Sequence, residues 1–159
     1  MWDYLLKNGT LVDGTGRPGF RADLAVQGSR IAAIGRLEER NAQRVLDAAG
    51  LTVTPGFLDI HRHADAAVFR PDFGKLELKQ GLTTILNGNC GLSAAPCPAH
   101  RQEICDYLEP VLGWVNGSVP TDSIAAYRAG AARLALPLNV GMALSPETRS
   151  LTSITSPTA

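Results

Sequence analysis

With 159 residues, 45% of them hydrophobic and 19% charged, the chain has the make-up of a folded domain and not of an intrinsically disordered one. Its 15 Lys and Arg balance its 15 Asp and Glu, which leaves no basic surplus for a nucleic-acid partner. No apolar run approaches the ~20 residues that cross a bilayer, and the opening MWDYLLKNGT lacks the basic-then-apolar layout of a secretory signal, so no membrane partner and a cytoplasmic location are expected.

The first fifty residues read as short strands and turns. YLLKNGTLVDGTG carries Asn8-Gly9 and Asp13-Gly14, two dipeptides that favour tight hairpin turns because glycine tolerates positive φ. DLAVQGSRIAAIG predicts two strands, Asp23 to Val26 and Arg30 to Ile34, joined at Gly28-Ser29. A short turn is expected around Leu37 to Gln43, and RVLDAAGLTVTPG adds a further β-branched run before Pro55-Gly56. Residues 1–54 are thus read as a small all-β unit. GTGRPG, Gly14 to Gly19, sits between strands and opens no helix, so it is a turn and not a phosphate loop.

From Gly56 the pattern changes. GFLDIHRH predicts an apolar strand buried on both faces, FGKLELKQG a short helix stopped by Gly81, and LTTILN a second strand that runs into the glycine-broken loop GNCGLSAAP. AHRQEICDYLEPVLGW spaces Ile104, Leu108, Val111 and Leu112 as a helix does, with Pro110 expected to kink or end it. Thr121, Asp122 and Ser123 offer caps for SIAAYRAGAARLA, and Pro137 starts a third strand, LPLNVGMAL. Strands alternating with helices over 55–144 imply βαβ units and a parallel sheet. Residues 145–159, rich in Ser, Thr and Pro, read as a tail.

Parallel α/β folds gather their chemistry at the C-terminal ends of strands. His61 and His63 end the first strand of this run, and on a strand their side chains would share a face. Cys90 follows the second strand, which a crossover can bring beside the first. Two imidazoles and a thiolate suit zinc, which with an open position can activate water for attack on an amide carbonyl. An isolated His-x-His is more often incidental than metallic, and a cysteine in a glycine-rich loop is commonly a small apolar residue. Their joint occurrence after consecutive strand ends favours the metal. Asp59 and Asp65 read as caps or solvated groups at the strand end. His100 reads as a solvated surface residue, Trp2 and Trp114 as packing residues, and Cys97 and Cys105 have no metal spacing. Three cysteines argue against a disulfide framework.

Three stretches together carry a family likeness: ADLAVQGSRIAAIG, VLDAAGLTVTPGFLDIHRHAD and GLTTILNGNCGLSAAP. Over about Tyr4 to Leu144 the chain resembles the N-terminal part of amidohydrolase-superfamily enzymes. The Gly-Asn-Cys-Gly segment narrows the resemblance to the D-aminoacylase (N-acyl-D-amino-acid deacylase) family. The resemblance implies an α/β fold: a small N-terminal β-sandwich segment, its sandwich completed by the other chain end, followed by the first three βα units of an incomplete metal-dependent hydrolase (β/α)8 barrel. It implies zinc as cofactor, with His61 and His63 matching the His-x-His metal motif and Cys90 the thiolate ligand. In such enzymes the tightly held ion is bound by the cysteine and two later histidines, with the His-x-His pair serving a weaker second position, and a later aspartate is the general base and acid. Their substrates are N-acyl-D-amino acids. No catalytic residue is therefore expected within this chain, since a complete barrel takes ~250 residues. Ser145-Pro146-Glu147 departs from the glycine-histidine loop expected after the third strand. A truncated, inactive N-terminal segment is the resulting expectation, through a frameshift, a premature stop or a natural short form. Two alternatives stand beside it: a non-catalytic scaffold that pairs with another chain or itself through an exposed sheet edge, and an amidohydrolase acting on cyclic amides.

Overall fold

The computed structural model describes residues 1–97, 109–113 and 119–143. The chain divides into two compact units, Met1–Pro55 and the residues from Gly56 onward.

The first unit is a single five-stranded mixed sheet. Strands β1 (Trp2–Leu11), β2 (Phe20–Gln27), β3 (Arg30–Gly35), β4 (Ala42–Asp47) and β5 (Thr52–Val53) carry it. Its order is β3-β2-β1-β4, with β5 also on β1; β1-β2 and β2-β3 are antiparallel, whereas β1 pairs with β4 and β5 in parallel. The strands expected around Gly28-Ser29 form as a hairpin, and a 3₁₀ turn at Glu39–Asn41 occupies the segment read as a turn.

Asn8-Gly9 is a correction. It makes no hairpin turn: β1 runs straight through it with a register shift against β2 between Leu6 and Gly9. Asn8 takes φ +64°, so the dipeptide's tolerance of positive φ serves a bulge. Asp23 explains why. Its Oδ1 accepts the Asn8 amide at 2.9 Å, and its Oδ2 accepts Lys7 Nζ and the Leu37 amide, both at 3.0 Å. The turn that does link β1 to β2 contains Asp13-Gly14, where Asp13 Oδ1 accepts both the amide and the hydroxyl of Thr15. GTGRPG lies in this exposed turn.

In the second unit β6 (Phe57–Asp59), β7 (Leu82–Asn87) and β8 (Asn139–Met142) form a parallel sheet in the order β6-β7-β8. Helix α1 (Lys75–Lys79) lies between β6 and β7 in the chain, and α2 (Ile124–Ala132) precedes β8. Ser123 caps α2, its Oγ accepting the Ala126 amide at 3.0 Å. Ala64, Val68, Ile85 and Leu138 form one buried cluster; Ala66, Ala95, Val119 and Tyr127 form a second.

The GFLDIHRH strand needs a second correction. Pairing with β7 stops at Asp59, so the histidines lie beyond the strand, and Phe57 and Leu58 are 55% and 65% exposed. An apolar run alone cannot tell a strand covered on both faces from one with no layer over it. Most of the helix expected over 99–114, and all of the 145–159 tail, lie outside the described residues; Leu112 is buried, packed with Ala94.

Candidate metal centre

Three segments converge at the C-terminal ends of β6 and β7. Just past β6, Asp59 Oδ1 accepts the His61 amide at 3.2 Å, turning the chain out of its strand. The Arg62 amide then donates to the carbonyl of Leu86 in β7 at 3.1 Å. The Arg62 side chain turns to acids, with Nη2 2.7 Å from Glu77 Oε1 in α1 and Nη1 3.4 Å from Asp59 Oδ2. Fully buried Asn87 accepts the Ala64 amide through Oδ1 at 3.1 Å.

After β7 the chain reverses sharply. Leu92 donates its amide to the Asn89 carbonyl at 2.9 Å, while Cys90 and Gly91 take φ of +56° and +71°. Both central residues at positive φ is the pattern of a type I′ turn, which normally prefers Asn or Gly. A cysteine held there is a backbone outlier at a strand end, and such outliers gather where a side chain must be aimed. Gly88, at φ +79°, must be glycine for a second reason, since a Cβ would run into the Ala143 carbonyl.

These turns bring together all three residues expected from the sequence. The ligand atoms of His61, His63 and Cys90 lie within 4.8 Å of one another. His61 Nε2 is 3.0 Å from Cys90 Sγ, and the two imidazole centroids are 5.4 Å apart at 72°. His61 and Cys90 are exposed and His63 half-buried. Shared presentation on one strand face, however, is not how the pair is made: it comes from a turn. The donor set suits an ion of borderline softness, with bonds of ~2.0–2.3 Å that could span the cluster after small side-chain movements. His63 Nδ1 is buried and unpartnered among the described residues, as expected of a nitrogen awaiting a ligand or an outer partner.

Asp65 is not the capping or solvated residue expected. It is fully buried, its Oδ1 accepts the Ala94 amide at 3.1 Å, and its Oδ2 has no partner among the described residues. Burial pushes its carboxyl above the ordinary range, against hydrogen bonds that pull the other way. The Tyr127 hydroxyl donates to the Asp65 carbonyl at 2.7 Å, and burial followed by the neighbouring carboxylate drives that phenol well above its usual range. Sequence reasoning also missed Asn87, Asn89 and Glu77. Only the position of both asparagines beside the cysteine hinted at them. Cys97 is buried away from the cluster, its amide bonded to the Thr121 carbonyl at 2.7 Å; His100, Cys105 and Trp114 lie outside the described residues. Trp2 is half-buried in β1. No described helix is long and apolar enough to cross a membrane.

No family model matches the chain. It is 50% identical over 95 residues to D-aminoacylase of Alcaligenes xylosoxydans xylosoxydans, covering 60% of this chain and 20% of that protein. To N-acyl-D-glutamate deacylase of the same organism it is 44% identical over 96 residues, again 60% of this chain and 20% of the relative. Among solved structures, the N-acyl-D-glutamate deacylase of Bordetella bronchiseptica, complexed with zinc and a phosphonate mimic of the tetrahedral intermediate, superimposes with a TM-score of 0.82. The identity is 34%, over 99% of this chain and 32% of that one. A crystal structure of D-aminoacylase gives 0.77 at 34% identity, over 91% and 30%. The chain spans about a fifth of the curated relatives and about a third of the solved ones.

Proposed function

For a chain that belongs to the D-aminoacylase family of the amidohydrolase superfamily, as its N-terminal portion, we propose a part in zinc-dependent hydrolysis of N-acyl-D-amino acids. The observation that carries the reading is the convergence of His61, His63 and Cys90 on one point. These three residues would hold the ion, His61 and Cys90 being exposed and His63 half-buried. Bound there, zinc supplies Lewis acidity and lowers the pKa of water, the chemistry an amide carbonyl needs. Arg62 keeps its charge away from the ion by pairing with Glu77 and Asp59. Asp65 lies too deep to touch substrate and instead anchors the loop from Ala94.

Strands β6, β7 and β8 are read as the first three of a (β/α)8 barrel, and the β1–β5 sheet as half of a sandwich. A continuous row supports the second point: Ile34 pairs with Leu24, Leu24 with Leu6 and Leu6 with Leu46, while Ile34 and Leu46 stay about half exposed. The general base is not among residues 1–159 on this reading, so the chain alone binds metal and leaves the amide intact.

Equilibrium dialysis tests the metal. About one zinc should bind per chain, and Cys90→Ser or a His61→Ala/His63→Ala pair should abolish it; equal binding by the variants would refute the assignment. A coupled assay for D-amino acid release, run on the zinc-loaded chain over N-acetyl-D-amino acids and hydantoins, should stay at background. Zinc-dependent turnover of the former would make the chain an enzyme by itself, and of the latter would favour the cyclic-amide reading. Among the described residues β6 and β8 are each paired on one side only, which favours a second reading in which the chain pairs with another strand-bearing chain.

A further inference from the structure

The histidine pair is not carried by a strand, so something else must fix its position against Cys90. Asn89 does three things at once. It immediately precedes Cys90, its carbonyl closes the turn by accepting the Leu92 amide at 2.9 Å, and its side-chain Nδ2 donates twice. One of those bonds, at 2.8 Å, goes to the Leu86 carbonyl; the other, at 3.3 Å, reaches the carbonyl of Arg62. Arg62 is the residue between His61 and His63, and its own amide meets the same Leu86 carbonyl at 3.1 Å. The peptide linking the two imidazoles is therefore gripped from both sides, by β7 and by the residue adjacent to the third donor.

From this geometry we infer that Asn89 is a positioning residue that locks the two histidines and Cys90 into one preformed unit. The inference rests on the metal reading of that cluster. Asn89 touches neither ion nor substrate; it acts through the Arg62 carbonyl. An amide side chain is required because both partners are acceptors: a carboxylate there would repel them, and a hydroxyl could satisfy only one. Without the grip the His61–His63 segment is still held by the Arg62 amide on Leu86, the Ala64 amide on Asn87 and the Arg62 ion pairs, but none of these ties it to the turn that carries Cys90. Outer partners that orient ligands typically contribute ~10–100-fold in metal affinity.

Titration of the full 159-residue chain with Co²⁺ tests this, read by the thiolate-to-cobalt charge-transfer band and by far-ultraviolet circular dichroism of the metal-free protein. The wild type should develop the band and Cys90→Ser should not. Asn89→Ala should reach the same band at saturation, since its donors are unchanged, but with affinity about 10–100-fold weaker. Asn89→Gln, which retains the donor on a longer arm, should recover part of that loss. A role confined to stability would not give an unchanged band with a shifted midpoint on an unchanged fold. Wild-type affinity in Asn89→Ala, or an affinity loss accompanied by loss of the folded signal in both variants, overturns the inference while leaving the metal cluster standing. Absence of the band in the wild type overturns the cluster, and the positioning role with it.

Discussion

Cys90 takes φ +56°, which a non-glycine residue pays for with roughly 1–3 kcal/mol. Cys90→Gly should accordingly raise the thermal midpoint of the metal-free chain, by the equivalent of about 1 kcal/mol, while abolishing metal capture. A lowered midpoint would mean the turn is not strained. Asp23 makes a different kind of contribution. The Leu37 amide first, then the Asn8 amide and the Lys7 ammonium, hold its carboxyl down at about 2, against the ordinary 3.8, despite burial acting the other way. A depressed folded pKa means stability that is complete above 3.8 and is lost as pH falls toward 2. Asp23→Asn should cost about 1–3 kcal/mol at pH 7 by urea unfolding, and the gap between variant and wild type should close across that acidic window. A gap independent of pH would contradict the charge-based account. Neither residue's role could be read from composition. Cys90 stood out by its neighbours, but its backbone did not, and Asp23 looked like any polar residue opening a strand.

Elements with local signals were legible. LTTILN becomes β7 residue for residue, and the Ser123 cap sits where the Thr-Asp-Ser run put it, because capping is decided within one turn of chain. Ser123→Ala should cost about 1 kcal/mol in a chemical-denaturation midpoint, and no loss would show the cap idle. What the sequence could not convey was set by long-range partners. Asn8-Gly9 has a hairpin's composition, yet Asp23 draws it into a bulge; GFLDIHRH has a buried strand's composition, yet β6 stops after three residues once Asp59 turns on the His61 amide. His61, His63 and Cys90 do meet, though by paired turns and not by strand alternation. Period-two reasoning selected His61 and His63 for a reason the fold does not use. Strand ends still bring them together, since the residues after β6 and β7 are neighbours whenever the two strands pair in parallel.

For the molecule as a whole, β6 and β8 are each paired on one side only among the described residues, and the row from Ile34 to Leu46 leaves apolar surface half exposed. Both features predict association. Light scattering during size exclusion should give a mass above that of one chain, rising with concentration, and a strictly monomeric profile would count against both surfaces as contacts. The bond from Tyr127 to the Asp65 carbonyl joins residues 62 positions apart, and the Ala143 amide reaches back to the Asn87 carbonyl at 2.8 Å. During synthesis His61, His63 and Cys90 leave the ribosome well before α2 and β8 exist to seal the ground beneath them. An early nascent chain would thus hold every donor with Asp65 and Asn87 still in water. Closure around Asp65 and Asn87 would then wait on the arrival of residues near 127 and 143, so this unit completes late in synthesis.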